Sequence, residues 1–113
     1  MKTVYQNRMP LEGQNKYLKI ELYYSLGGMN YFTSRVEPRG YYLSAEPIER
    51  TELEGGCTME SYTAFSGLKQ CILACKRQSK AREAQALELM GEFIDDLIEA
   101  VLQKNGLKLG GAA

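Results

Sequence analysis

A chain of 113 residues suits one hydrophobic core, which buries about two-thirds of the surface its unfolded form exposes. With 44% hydrophobic and 25% charged residues the composition excludes a disordered or membrane-embedded class. Fourteen cations against fourteen anions argue against a partner held by bulk electrostatics, such as duplex nucleic acid or an anionic membrane.

Residues 1–16 carry Lys2, Asn7 and Arg8 but no apolar run, so they are expected to form an N-terminal arm and not a secretory signal. No stretch approaches transmembrane length, and three cysteines are an odd number, which reads as reduced thiols in the cytoplasm. The domain is expected over residues 17–107, with a flexible tail over 108–113.

From Tyr17 to Tyr24, Leu18, Ile20, Leu22 and Tyr24 alternate with Lys19, Glu21 and Tyr23, the pattern of a strand with one buried face. Gly27-Gly28 turns the chain into a second strand, Met29 to Val36, whose Phe32 and Val36 face inward. Glu37-Pro38-Arg39-Gly40 supplies turn chemistry before a third strand, Tyr41 to Ile48. Of two registers for that pair, the one placing Ser34 opposite Leu43 and Phe32 opposite Ala45 keeps apolar against apolar and is preferred to one placing Arg35 opposite Leu43. Residues 49–57 read as a loop, and 58–65 as an optional fourth strand.

After Ser66, a candidate N-cap, Leu68, Cys71, Ile72 and Cys75 recur at helical spacing, and a second helical set runs from Ala86 to Leu102 and stops at Asn105-Gly106. Charge separates the two. Ser66 to Arg82 holds five basic residues and no acid, while Glu83 to Glu99 holds six acids and no base. A break near Gln78-Ser79 places each block at the helix end its charge prefers, and one kinked helix is the alternative. The fold class is therefore α+β, a three- to four-stranded antiparallel meander followed by two C-terminal helices packed on one face of the sheet.

The chain has no histidine, so the commonest general base and zinc ligand are missing. Cys71 and Cys75 lie on an apolar stripe and read as small hydrophobes, and Cys57 in its glycine-flanked loop has no neighbouring base in the sequence. Gly27-Gly28 and Gly55-Gly56 lack phosphate-cradle spacing, and Asp95 and Asp96 diverge by about 100° on a helix. No enzyme, cofactor or metal is expected.

Two features bear on function. The apolar stripe of the last helix covers about 220°, where packing one side on a sheet needs little more than 100°. Leu87, Met90, Ile94, Ile98 and Leu102 are therefore candidates for contact with a second copy or another protein. The opposite sheet face gathers Tyr17, Lys19, Tyr23, Tyr31, Arg35 and Tyr42, with Glu21 among them, and stacked bases of single-stranded nucleic acid are the alternative ligand there.

Leu26-Gly-Gly-Met-Asn-Tyr-Phe, Glu37-Pro-Arg-Gly-Tyr-Tyr-Leu-Ser and Met59-Glu-Ser-Tyr-Thr-Ala-Phe resemble small uncharacterised proteins of bacterial phages and conjugative elements, over residues 17–107. The resemblance implies an intracellular bacterial or phage setting and attaches no activity. In such a setting compact accessory proteins occupy surfaces of larger ones, and an acidic ridge of Glu88, Glu92, Asp95 and Glu99 is a candidate decoy for a nucleic-acid groove.

Overall fold

The structure, a computed structural model, describes residues 2–13, 15–31, 33–62 and 65–110. Among the described residues seven strands precede one helix: β1 (Lys2–Pro10), β2 (Lys16–Ser25), β3 (Gly28–Asn30), β4 (Arg35–Glu37), β5 (Gly40–Glu52), β6 (Thr58–Tyr62), β7 (Leu68–Ala74) and α1 (Lys80–Asn105). The architecture is α+β with antiparallel pairing throughout. It has one helix in place of the expected two, and more strands than the expected three or four.

The alternation in β2 is real: Leu18, Ile20, Leu22 and Tyr24 are all buried. Their neighbour is β5, with Ile20 opposite Ala45, Leu22 opposite Leu43 and Tyr24 opposite Tyr41. Residues 29–36 do not take that place. Instead β3 and β4 pair with each other as a small hairpin inserted between β2 and β5, so neither register expected for Leu43 occurs. The reason is apolar matching: β5 offers β2 three buried partners in a row, whereas Val36 of the hairpin is 74% exposed. Phe32 lies outside the described residues.

Lys2–Pro10, within the segment expected to be an arm, is a nine-residue strand on the free side of β2. Only Val4 and Met9 of it touch the core. At the other end of the chain, Leu109 bridges to Leu11 and the Gly110 amide donates to the Pro10 carbonyl at 2.8 Å, so residues 108–110 of the expected tail lie against the β1–β2 turn.

The far edge of β5 is shared end to end by β6, opposite residues 48–52, and β7, opposite residues 40–45. Pro47 falls at the break between them, where no ladder partner asks for an amide hydrogen. Residues 58–62 are thus the optional fourth strand. Leu68–Ala74, expected to be helical, is a strand paired with β5, and a bulge between the pairs Tyr41–Leu73 and Tyr42–Cys71 adds Ile72 to the count. That extra residue breaks the two-residue period, and the apolar positions fall at spacings that imitate a helical turn. Ser66 caps no helix; its amide and carbonyl are both held by the Asn105 side chain, at 2.9 and 2.8 Å.

The helix begins and ends where capping chemistry demands. The Ser79 hydroxyl accepts from the Arg82 amide at 3.1 Å, Glu83 sits in the first turn, and Gly106 closes the C-terminus at φ 64°. It lies across one face of the sheet, burying Ala86, Leu97, Ile98 and Val101 against Leu18, Ile20, Leu22, Tyr41, Leu43 and Ala45. Among the described residues no helix is long and apolar enough to cross a membrane.

Candidate interaction surfaces

The helix-free face is a trough and not a flat platform. Register places Tyr17, Lys19, Glu21 and Tyr23 of β2 beside Ile48, Glu46, Ser44 and Tyr42 of β5, all opposite in sense to the core row. Arg8 of β1 meets Glu60 of β6 at 2.8 Å, although β2 and β5 lie between their strands, so the sheet curls around this face. Glu60 also accepts from Arg50 at 3.0 Å, and the Arg50 guanidinium stands 5.6 Å from the centre of the Tyr17 ring. At the other end Lys69 pairs with Glu37 at 2.9 Å and lies 5.7 Å over the Tyr42 ring.

These contacts decide what the tyrosines are free to do. Tyr23 and Tyr42 stack on one another, 5.9 Å between centroids at 16°, and the Tyr42 hydroxyl donates to the Pro38 carbonyl at 2.6 Å. Burial, with the Glu21 carboxylate next, pushes the Tyr23 hydroxyl up to about 12; burial likewise raises Tyr42 to about 12. Both stay neutral donors across the ordinary pH range. Of the six residues expected to form a base-stacking face, Tyr17, Lys19, Tyr23 and Tyr42 share the trough, and the three tyrosine rings there already meet Arg50, Lys69 or one another. Tyr31 and Arg35 are carried away on the β3–β4 hairpin.

The bridging carboxylates give a pH signature. Hydrogen bonds from Arg50 and then Arg8 hold the Glu60 carboxyl below its ordinary 4.5, and the Asn30 amide followed by Lys69 does the same for Glu37. A depressed folded pKa contributes stability that is present above the unfolded value and is lost as pH falls through the folded one. Thermal melts from pH 7 into the acid range should therefore show a shallower decline for Glu60→Gln than for the parent, the two curves converging at the acid end. Parallel curves would show that the Arg8–Glu60–Arg50 bridge contributes nothing to the closed trough.

The helix residues expected at an interface separate by burial. Ile98 is 9% exposed and lies in the core, and Met90, Ile94 and Leu102 are half-buried against it. Leu87, at 40%, faces solvent. The sheet thus covers most of the wide stripe, and what remains is a narrow band near the helix N-terminal half. Beside it runs an open cleft of about 410 Å³ lined by Lys2, Lys80, Glu83, Ala84 and Leu87.

One surface escaped the sequence reading, which turned Val36 inward. The β3–β4 hairpin presents Leu26, Met29, Tyr31 and Val36 to solvent, Tyr31 at 88%. It is anchored at its neck: Gly27, at φ 71°, packs against the Glu37 carbonyl with room for no Cβ, the Asn30 side-chain amide donates to Glu37 at 3.0 Å, and Lys69 holds Glu37 from β7. The available signal was the brevity of the segment between two turn signatures, which suits a hairpin better than a sheet strand. Cys57 is exposed, Cys71 and Cys75 are half-buried, and the described residues hold no cluster of three or more Cys, Asp or Glu disposed to bind a metal. No protein family, curated protein or solved structure matches the chain.

Proposed function

We propose that this chain is a non-enzymatic protein-interaction module, which self-associates through the exposed band of α1 and offers its β3–β4 hairpin to a partner protein. The observation that carries the reading is the hairpin: Met29 and Val36 exposed on a ladder of three pairs, with Leu26 and Tyr31 exposed beside it, on a neck fixed by Glu37, Asn30 and Lys69. An apolar patch that the chain's own core does not need is the usual mark of a protein contact, and pre-fixing it lowers the ordering cost of binding. Single-stranded nucleic acid is the weaker ligand, because the rings that would stack on bases already stack on each other or on cations, and Glu21, Glu37 and Glu46 stand among them.

The test is a triple substitution, Met29→Ser, Tyr31→Ser and Val36→Thr, which touches no core residue. Its circular dichroism and melting should match the parent, while proteins captured by the parent from a bacterial lysate should be lost. An unchanged capture profile, or oligonucleotide binding at low micromolar affinity that Tyr42→Ala weakens by about 1–3 kcal/mol, would overturn the reading in favour of the trough.

A further inference from the structure

The exposed band of α1 is complementary to itself when reversed. Lys80, Ala84, Leu87, Gly91 and Asp95 recur at spacings of three and four residues with Glu88 beside Leu87, so they form one stripe along the helix, and all six are exposed. Read from either end about a point between Leu87 and Glu88, the stripe runs charge, small residue, centre, small residue, opposite charge. Two such helices laid antiparallel would set Lys80 against the second copy's Asp95, Ala84 against its Gly91, and Leu87 against its Glu88 on either side of the crossing.

Three observations point to a second copy as the occupant. First, the charges are complementary and unused: the ion pairs among the described residues involve Lys2, Arg8, Arg50 and Lys69, and neither Lys80 nor Asp95 is joined to any described side chain. The five cations from Lys69 to Arg82 and the six acids from Glu83 to Glu99 do not neutralise each other as an intrachain helical hairpin, because residues 68–74 are a strand on the sheet edge. Second, Gly91 has open space where its Cβ would stand, so the chain's own packing does not call for glycine in mid-helix, where it is less favourable than any residue but proline. Close approach of another helix backbone does call for it. Third, the cleft beside Lys80, Ala84 and Leu87 is open, so no described residue of the chain itself fills the space along which the second copy's residues 88–95 would lie.

We infer that a second copy of this chain covers the stripe, its α1 running antiparallel to the first with Lys80 paired to the second copy's Asp95. This rests on the self-association reading above and specifies its geometry. The acidic ridge of Glu92 and Glu99 then lies beside the partner's Lys76 and Lys80 end, which makes assembly salt-sensitive.

Sedimentation across tens to hundreds of micromolar should show a monomer–dimer equilibrium that shifts toward monomer as salt is raised from about 50 mM to about 1 M. Lys80→Glu and Asp95→Lys should each weaken the dimer about tenfold, and the double variant should recover most of that loss, because each copy supplies one member of each pair. Gly91→Gln should abolish the dimer while melting no lower than the parent, since its side chain meets open space in the monomer. A strict monomer at every concentration would remove the self-association reading itself. A dimer indifferent to the charge reversals and to Gly91→Gln would leave self-association standing and overturn this interface.

Discussion

Val101→Asp is expected to leave the chain without a cooperative melting transition at room temperature, whereas Leu87→Asp on the same helix is expected to melt with the parent. Val101 is fully buried, enclosed with Ala86, Leu97 and Ile98 against the sheet. Replacing it removes about 1.5–3 kcal/mol of apolar burial, and an unpaired carboxylate in that environment costs several kcal/mol more. A single domain has about 5–15 kcal/mol in total, so the sum approaches or exceeds what holds it together. Leu87 meets none of these conditions within one chain: it faces solvent there, and at concentrations where the chain is monomeric an aspartate stays hydrated. Far-ultraviolet dichroism against temperature reads both variants. A cooperative transition for Val101→Asp close to the parent's would mean that α1 is not docked on Leu18, Ile20 and Leu43 as described.

That contrast shows where the sequence was informative. Periodicity alone put Leu87 and Ile98 in one apolar stripe, and it could not say how far a curled sheet reaches around a helix. The caps were legible because their chemistry is local: Ser79 accepts from Arg82, and Gly106 takes a left-handed conformation that most residues avoid. The alternation in β2 was legible because one face is in the core and the other in the trough. Three features hid. β1 touches the core with Val4 and Met9 alone, so it carries almost no hydrophobic period. β5 was read as a strand from Tyr41 to Ile48, but its pairing with β2 hid, because it is buried on both faces from Tyr41 to Ala45 and shows no alternation to match. In β7 the bulge at Ile72 converts a strand period into a helical one, and the helix assignment followed the period and not the glycine before it. That glycine was the better guide: a Cβ on Gly67 would stand 2.9 Å from the Ala45 carbonyl oxygen, which marks a strand arriving on a sheet edge.

Of the candidate surfaces, the charge blocks were visible in the sequence and misassigned in space. They suggested two helices side by side within one chain. The structure places Lys69 on β7, Lys76 and Arg77 in the turn before α1, Lys80 and Arg82 in its first turn, and the acids along the helix, so the two blocks do not face each other within the chain.

Gly40→Val is expected to destabilise the fold by about 3 kcal/mol or more, at the upper end of what forced overpacking costs. Gly40 opens β5 between Ser25 of β2 and Ala74 of β7. A Cβ there would run into the Leu73 carbonyl oxygen and stand 2.8 Å from the Ala74 Cα, and both are backbone atoms that no rotamer change can move. Relief requires the end of β7 to leave β5. That movement would break the pairing of Tyr41 with Leu73 and the hydrogen bond from the Cys75 amide to the Arg39 carbonyl at 3.0 Å, and would withdraw Ile72, Leu73 and Cys75 from the core. Gly55→Ala supplies the comparison. Gly55 sits at φ 87° in the β5–β6 turn with nothing within 4 Å of a Cβ, so its substitution carries only the left-handed backbone penalty of about 1–2 kcal/mol. Urea unfolding orders the two, and amide exchange at Leu73 and Cys75 locates the damage. If Gly40→Val costs no more than Gly55→Ala, or if exchange at those amides is unchanged, then the close approach of β7 to the start of β5 is not what sets the helix-covered end of the sheet.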